Sequence, residues 1–141
     1  MNADRTGPGH DAEVSDAVAR RLATEHGVWL ATARSGGAPH VTPVWFVFDR
    51  PKATWWISTG AGSVKVRNIA QRPEVSLALE DGRSPVVAEG TALIHREGFP
   101  ATVIEAFARK YDGWDITVPH SPGDVRVLVE VTTRRWLLRG G

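Results

Sequence analysis

The stretch Ser58-Thr59-Gly60-Ala61-Gly62-Ser63-Val64-Lys65-Val66-Arg67-Asn68 decides the reading of this chain. Before it, residues 53–58 read as an aromatic strand, with Trp55 and Ile57 on one face and Trp56 and Ser58 on the other. After it, Ser63 is placed to cap a short helix over residues 64–72, which Pro73 ends. The glycine-bearing turn between them brings helix N–H groups, hydroxyls and the Lys65 cation to one point, a combination that suits a phosphate. From the residues alone a second reading stays open: a capped surface helix with solvated basic side chains. The Gly60-Ala61-Gly62 piece lacks the third glycine of a dinucleotide fingerprint, and the Gly-Lys-Ser/Thr ending of a P-loop is absent.

The charge pattern sharpens the question. Residues 50–72 hold five basic side chains (Arg50, Lys52, Lys65, Arg67 and Arg72) and no acid, whereas the whole chain is only +1. The remainder is therefore net acidic, and one basic segment in such a chain invites an anionic ligand. The near-zero total gives no reason to expect a nucleic-acid or membrane-surface binder. With no cysteine, disulfides, thiolate metal sites, iron–sulfur clusters and cysteine nucleophiles are excluded. The five histidines show no metal-ligand spacing. The first residues lack the apolar run of a signal peptide and no stretch reaches the length of a membrane span, so a cytoplasmic protein is expected.

At 141 residues the chain reads as one domain over residues 15–141, preceded by a polar, disordered tail over residues 1–14. A helix over residues 15–26, capped by Ser15 or Asp16, carries Val18, Leu22 and Ala23 as its apolar stripe, with Gly27 as its stop. Strands are expected over residues 28–34, 40–49, 53–58, 75–79, 85–95, 125–131 and 135–138. Pro43 stands inside the second, which calls for an edge or a bulge. Both faces of that strand carry apolar groups, as if it were covered on both sides. In the 64–72 helix, Val66, Ile69 and Ala70 form the expected inner face and Lys65, Asn68 and Arg72 project elsewhere. Pro100 opens a helix to about Tyr111, and a loop rich in Pro, Gly and Asp follows to Asp124. The sum is a mainly β protein: a small antiparallel barrel with peripheral helices. Six tryptophans serve either as core or as the walls of a flat-ligand pocket or subunit contact. The aromatics of residues 111–115 are read either as a packed loop or as reaching a neighbouring subunit's pocket.

Several motifs in order carry a family likeness. They are Gly27-Val28-Trp29-Leu30-Ala31-Thr32, His40-Val41-Thr42-Pro43-Val44-Trp45-Phe46, Ser58-Thr59-Gly60, Ser63-Val64-Lys65-Val66-Arg67-Asn68 and Arg72-Pro73-Glu74-Val75-Ser76-Leu77. From Val14 to Leu138 the chain resembles the pyridoxamine 5'-phosphate oxidase-like split-barrel superfamily. More narrowly it resembles the B-type flavin/deazaflavin oxidoreductases of its deazaflavin-dependent branch. The resemblance implies a six-stranded antiparallel split barrel, a homodimer, and two flavin-type cofactors in grooves between subunits. It makes Lys65 the phosphate-binding lysine, with Ser63 in the same loop and Ser58, Thr59 and Gly60 at the end of the third strand. Thr42, Pro43, Val44 and Trp45 match the bulged strand that faces the ring system, and Val64, Arg67 and Asn68 complete the implied cofactor site. Arg50, Lys52, Arg67 and Arg72 are candidates for an oligoglutamate tail.

The chain departs from the vitamin B6 oxidase pattern. Val64 replaces the arginine beside the lysine, Gly60 replaces an asparagine, and the C-terminal Arg-x-His type motif is absent. The resemblance thus points to an oxidoreductase using coenzyme F420, passing hydride between the reduced deazaflavin and a small electron-poor molecule. The alternatives are an FMN enzyme of the same fold, or a non-catalytic flavin or haem carrier. No catalytic residue and no metal ligand is singled out.

Overall fold

A computed structural model describes residues 14–140. Residues 1–13 of the expected tail lie outside the described residues. Val14, assigned to that tail, is instead buried in the core.

The chain runs α1 (Asp16–Thr24), β1 (Gly27–Ala33), β2 (Pro39–Asp49), β3 (Thr54–Gly60), α2 (Val64–Gln71), β4 (Glu74–Leu79), β5 (Val86–His95), α3 (Ala101–Lys110) and β6 (Arg126–Arg139). The strands close an all-antiparallel barrel in the order β1-β2-β3-β6-β5-β4. Alternation sends Val28, Leu30, Phe46, Trp55, Ile57, Leu77 and Val129 inward, and these close-packed side chains fill the barrel. The Trp55 indole is satisfied there by the Thr133 hydroxyl, to which its Nε1 donates at 2.9 Å. A second cluster lies outside the wall, where Val103 and Phe107 of α3 cover Val47 and Leu128. β2 is therefore covered on both sides, its Phe46 inside the barrel and its Val47 under α3.

Ser15 caps α1, its hydroxyl accepting from the Val18 N–H at 3.1 Å. The helix ends at Thr24, two residues earlier than expected, and Gly27 does not stop it but opens β1 opposite Trp45. Ala23 and Ala70, assigned to inner helix faces, are exposed. Ala19 packs against the core in α1, and Asn68 is buried in α2 beside Val66 and Ile69.

The two strands expected at the C-terminus are one continuous β6. Gly90 pairs with Thr133 and Glu89 with Arg135, then Ala88 with Trp136 and Val87 with Leu138. Arg134 and Leu137 are thus extra residues without an opposite number in β5. These bulges break the alternation that the sequence reading relied on, and leave Arg134 and Arg135 both exposed. Gly90 is required at the first bulge, because a Cβ there would lie 2.5 Å from the Thr132 carbonyl oxygen.

Candidate functional site

β2 bonds to β1 through residues 39–45 and to β3 only through residues 46–49. The far end of β3, from Ser58 to Gly60, pairs with β6 alone. The barrel is split where these two unpaired edges diverge. Pro43 stands opposite Trp29 in the half of β2 whose other edge is open, so its missing N–H costs no bond to β3. The β1–β2 register passes through it without a shift, which makes it an edge position rather than a bulge.

The split opens into a groove of about 420 Å³ lined by Pro43, Val44, Trp45, Ser58, Thr59, Lys65, Trp114 and His120. Its aromatic wall is built by long-range contacts. The Tyr111 hydroxyl accepts from the buried Phe46 N–H at 2.9 Å and lies 2.8 Å from the His26 carbonyl and 2.9 Å from that of Phe46, to either of which it can donate. Burial pushes its pKa up to about 12, so it stays a neutral hydroxyl in the physiological range. The anchored Tyr111 ring stacks on Trp45 at 4.6 Å, and Trp114 meets Trp45 edge-on at 5.5 Å. These loop aromatics therefore serve the groove of their own chain.

Lys65 stands at the other end. The Ser63 hydroxyl caps α2 by accepting from the Val66 N–H at 3.4 Å, which sets Lys65 in the first turn. Lys65 is half-buried, and desolvation holds its ammonium below the usual lysine range. Among the described residues no group accepts a hydrogen bond from it. A desolvated cation without a counter-charge, beside the hydroxyls of Ser58 and Thr59, is a place for an anion.

The roof of the groove is pinned by Asp124. Its carboxylate accepts from the His120 N–H at 2.8 Å and from Arg126 at 3.3 Å, and these partners, the His120 N–H foremost, hold its pKa below the usual range. Arg126 also donates to Ser58 Oγ at 2.8 Å, tying the loop to the end of β3. Gly60 permits this closure, since a Cβ there would approach Asp124 Oδ1 to 2.9 Å.

Of the residues implied by the resemblance, the structure brings Pro43, Val44, Trp45, Ser58, Thr59 and Lys65 to one groove. Gly60 and Ser63 line a neighbouring cavity against residues 121–125. Thr42 sits opposite Leu30 with its hydroxyl buried and without a partner among the described residues. Val64 and Arg67 are exposed. Asn68 turns inward, its Nδ2 donating to Thr32 Oγ1 at 3.0 Å, and so fastens α2 to β1. The basic segment does not converge: Arg50 bonds the Val14 carbonyl and Asp16, while Arg72 bonds the Ser35 carbonyl. Arg50 and Lys52 flank the start of β3, about 20 Å along the strand from its Lys65 end. Tyr111, Trp114 and His120 were missing from the expected set. The aromatic-rich 111–115 run was the signal for Tyr111 and Trp114 in the sequence; His120 lies outside it.

Comparison with known proteins agrees with this architecture. The chain spans 89% of its length and 84% of a conserved hypothetical protein from Mycobacterium tuberculosis, at 27% identity and a TM-score of 0.67. An F420 reductase is similar over 87% of this chain and 98% of its own, at 23% identity and a TM-score of 0.67. The haem storage protein HutZ from Vibrio cholerae is similar over 91% and 96%, at 16% identity and a TM-score of 0.69. Residues 14–139 match the sequence family described as pyridoxamine 5'-phosphate oxidase, and with the split six-stranded barrel and its groove in place the chain belongs to that family.

Proposed function

We propose that this protein is an oxidoreductase that binds the deazaflavin coenzyme F420 in the split-barrel groove and exchanges hydride with a small electron-poor molecule. The observation that carries this reading is Lys65, a half-buried cation with no partner among the described residues, at the hydroxyl-bearing end of an aromatic groove. In this reading Lys65 and Thr59 hold the phosphate, and Pro43, Val44 and Trp45 face the ring system. Trp114 shields one side from water. When bound, the cofactor supplies the hydride; the chain supplies binding, orientation and a dry wall. A single cation suits the singly charged phosphodiester of a deazaflavin better than the nearly doubly charged phosphate of FMN. Val64, where the vitamin B6 oxidase pattern has a second cation, is exposed and neutral.

The groove is proposed to be completed by a second copy of the chain. Trp29, Val41, Pro43 and Ala78 share one outer face of β1, β2 and β4, and Trp29 and Val41 are 41% and 53% exposed. This apolar face runs into Trp45, so a partner covering it would border the groove.

The test is turnover. Reduced coenzyme F420 mixed with the protein and a quinone or enone is expected to be reoxidised faster than without protein. Reoxidation supported by reduced FMN alone would replace this reading with the FMN one. Binding without turnover toward any acceptor would favour a carrier.

A further inference from the structure

We propose that His120 is the proton donor of the reaction, handing its proton to the acceptor inside the groove. The inference rests on the oxidoreductase reading above and adds a residue that reading leaves unassigned. Hydride addition to an enone brings two electrons and one hydrogen to the β-carbon. The π pair of the C=C bond moves towards the carbonyl, and the enolate so formed needs one proton to become the saturated ketone. The hydride does not supply it.

The other groups at the groove are unsuited to the task. Pro43 and Val44 have no exchangeable side-chain proton, and the indoles of Trp45 and Trp114 donate hydrogen bonds without releasing theirs. Lys65 is engaged with the phosphate at the other end. Ser58 and Thr59 carry only weakly acidic alcohols, and the Ser58 oxygen accepts from Arg126 at 2.8 Å. Tyr111, behind the wall, is held by backbone groups. Histidine is the side chain that gives and takes protons near neutrality.

The loop grips His120 by its backbone and leaves its ring free. Asp124 accepts from the His120 N–H at 2.8 Å and is tied through Arg126 to the end of β3. The imidazole lies 5.9 Å from the Trp114 ring, and Trp114 lies 5.5 Å from Trp45, so contacts run from His120 to the strand that faces the ring system. His120 is exposed, and no described residue hydrogen-bonds its ring nitrogens. A proton given to the acceptor is therefore replaced from water. The charged groups around it are Asp124, which attracts the protonated imidazole, Arg126 behind Asp124, and Lys65 in the same groove.

His120→Ala removes the ring and keeps the N–H that Asp124 holds, so the roof stays in place. With reduced coenzyme F420 and cyclohexenone, kcat of the variant is expected to fall about a hundredfold. Coenzyme affinity, followed by tryptophan quenching, is expected to stay within about twofold of wild type. Added imidazole is expected to raise the variant's kcat about tenfold or more. Wild-type kcat is expected to fall as pH rises and the acid loses its proton, a dependence the variant lacks. Unchanged kcat, a loss confined to KM or coenzyme affinity, no rescue by imidazole, or the same pH profile in both proteins would each overturn the proposal and leave the oxidoreductase reading standing. No turnover by the wild type would overturn that reading, and this proposal with it.

Discussion

The Tyr111 ring lies flat on the Trp45 indole, centroids 4.6 Å apart and planes 5° from parallel. Tyr111 belongs to the loop after α3 and Trp45 to the middle of β2, so the contact joins distant parts of the chain at the wall of the groove. Its geometry depends on the Tyr111 hydroxyl, which bonds the backbone of Phe46 and lies within reach of the His26 carbonyl. Tyr111→Phe keeps the ring and removes the hydroxyl, leaving the buried Phe46 N–H unsatisfied. A loss of about 1–3 kcal/mol is expected in denaturant unfolding. Trp45 fluorescence is expected to change with it, because the stack loses its anchor.

Lys65→Ala separates binding from folding. The lysine is desolvated with no partner among the described residues, so its removal is expected to leave the unfolding midpoint nearly unchanged or slightly raised. Cofactor affinity is expected to fall roughly ten- to a hundredfold, the value of a charge-assisted bond to phosphate. Calorimetry of the variant with and without cofactor measures both.

Lys110 gives a pH signature. Its Nζ donates to the Phe46 carbonyl at 2.9 Å and to the Leu22 carbonyl at 3.3 Å, and lies 3.7 Å from the Phe46 ring centroid. Burial, partly offset by Glu25, lowers its pKa to about 8. Between pH 8 and the ordinary lysine value near 10.5, the unfolded chain holds a proton that the folded chain has released. Stability from this group therefore rises with pH across that window and is smallest below pH 8. Partial exposure limits the gain to about 1 kcal/mol. Unfolding at pH 7.5 and 9.5 is expected to show the wild type gaining on Lys110→Met by that amount, a window that stays below the titration of Tyr111.

Trp29→Glu places a charge in the middle of the exposed β1–β2–β4 face. Light scattering is expected to find the wild type as a dimer and this variant as a monomer, with the barrel intact by circular dichroism. A monomeric wild type would remove the partner copy from the account of the groove.

Local features of the site were legible in the sequence, and the reason is physical. Ser63 caps a helix three residues away, and Lys65 follows in its first turn, so their geometry depends on neighbours alone. Pro43 announced an edge or a bulge because a proline cannot donate, and the unshifted register makes it the edge. The roof was not legible, since Trp114 and His120 reach the groove only after Asp124 and Arg126 close the loop onto Ser58. The basic segment misled for the converse reason. Arg50 and Lys65 are near in sequence, but β3 lies between them and holds them at opposite ends. β6 was read as two strands because the extra residues Arg134 and Leu137 disturb an alternation that only the register against β5 explains.

The central claim is that the groove between Trp45 and Lys65 holds a deazaflavin through its phosphate. Tryptophan quenching measures this most directly, with coenzyme F420 and FMN each titrated into wild type and Lys65→Ala. The account predicts tighter binding of coenzyme F420 than of FMN by the wild type, and clear weakening of coenzyme F420 binding by Lys65→Ala. Tight FMN binding with none of the deazaflavin, or equal deazaflavin affinity in both proteins, would contradict it.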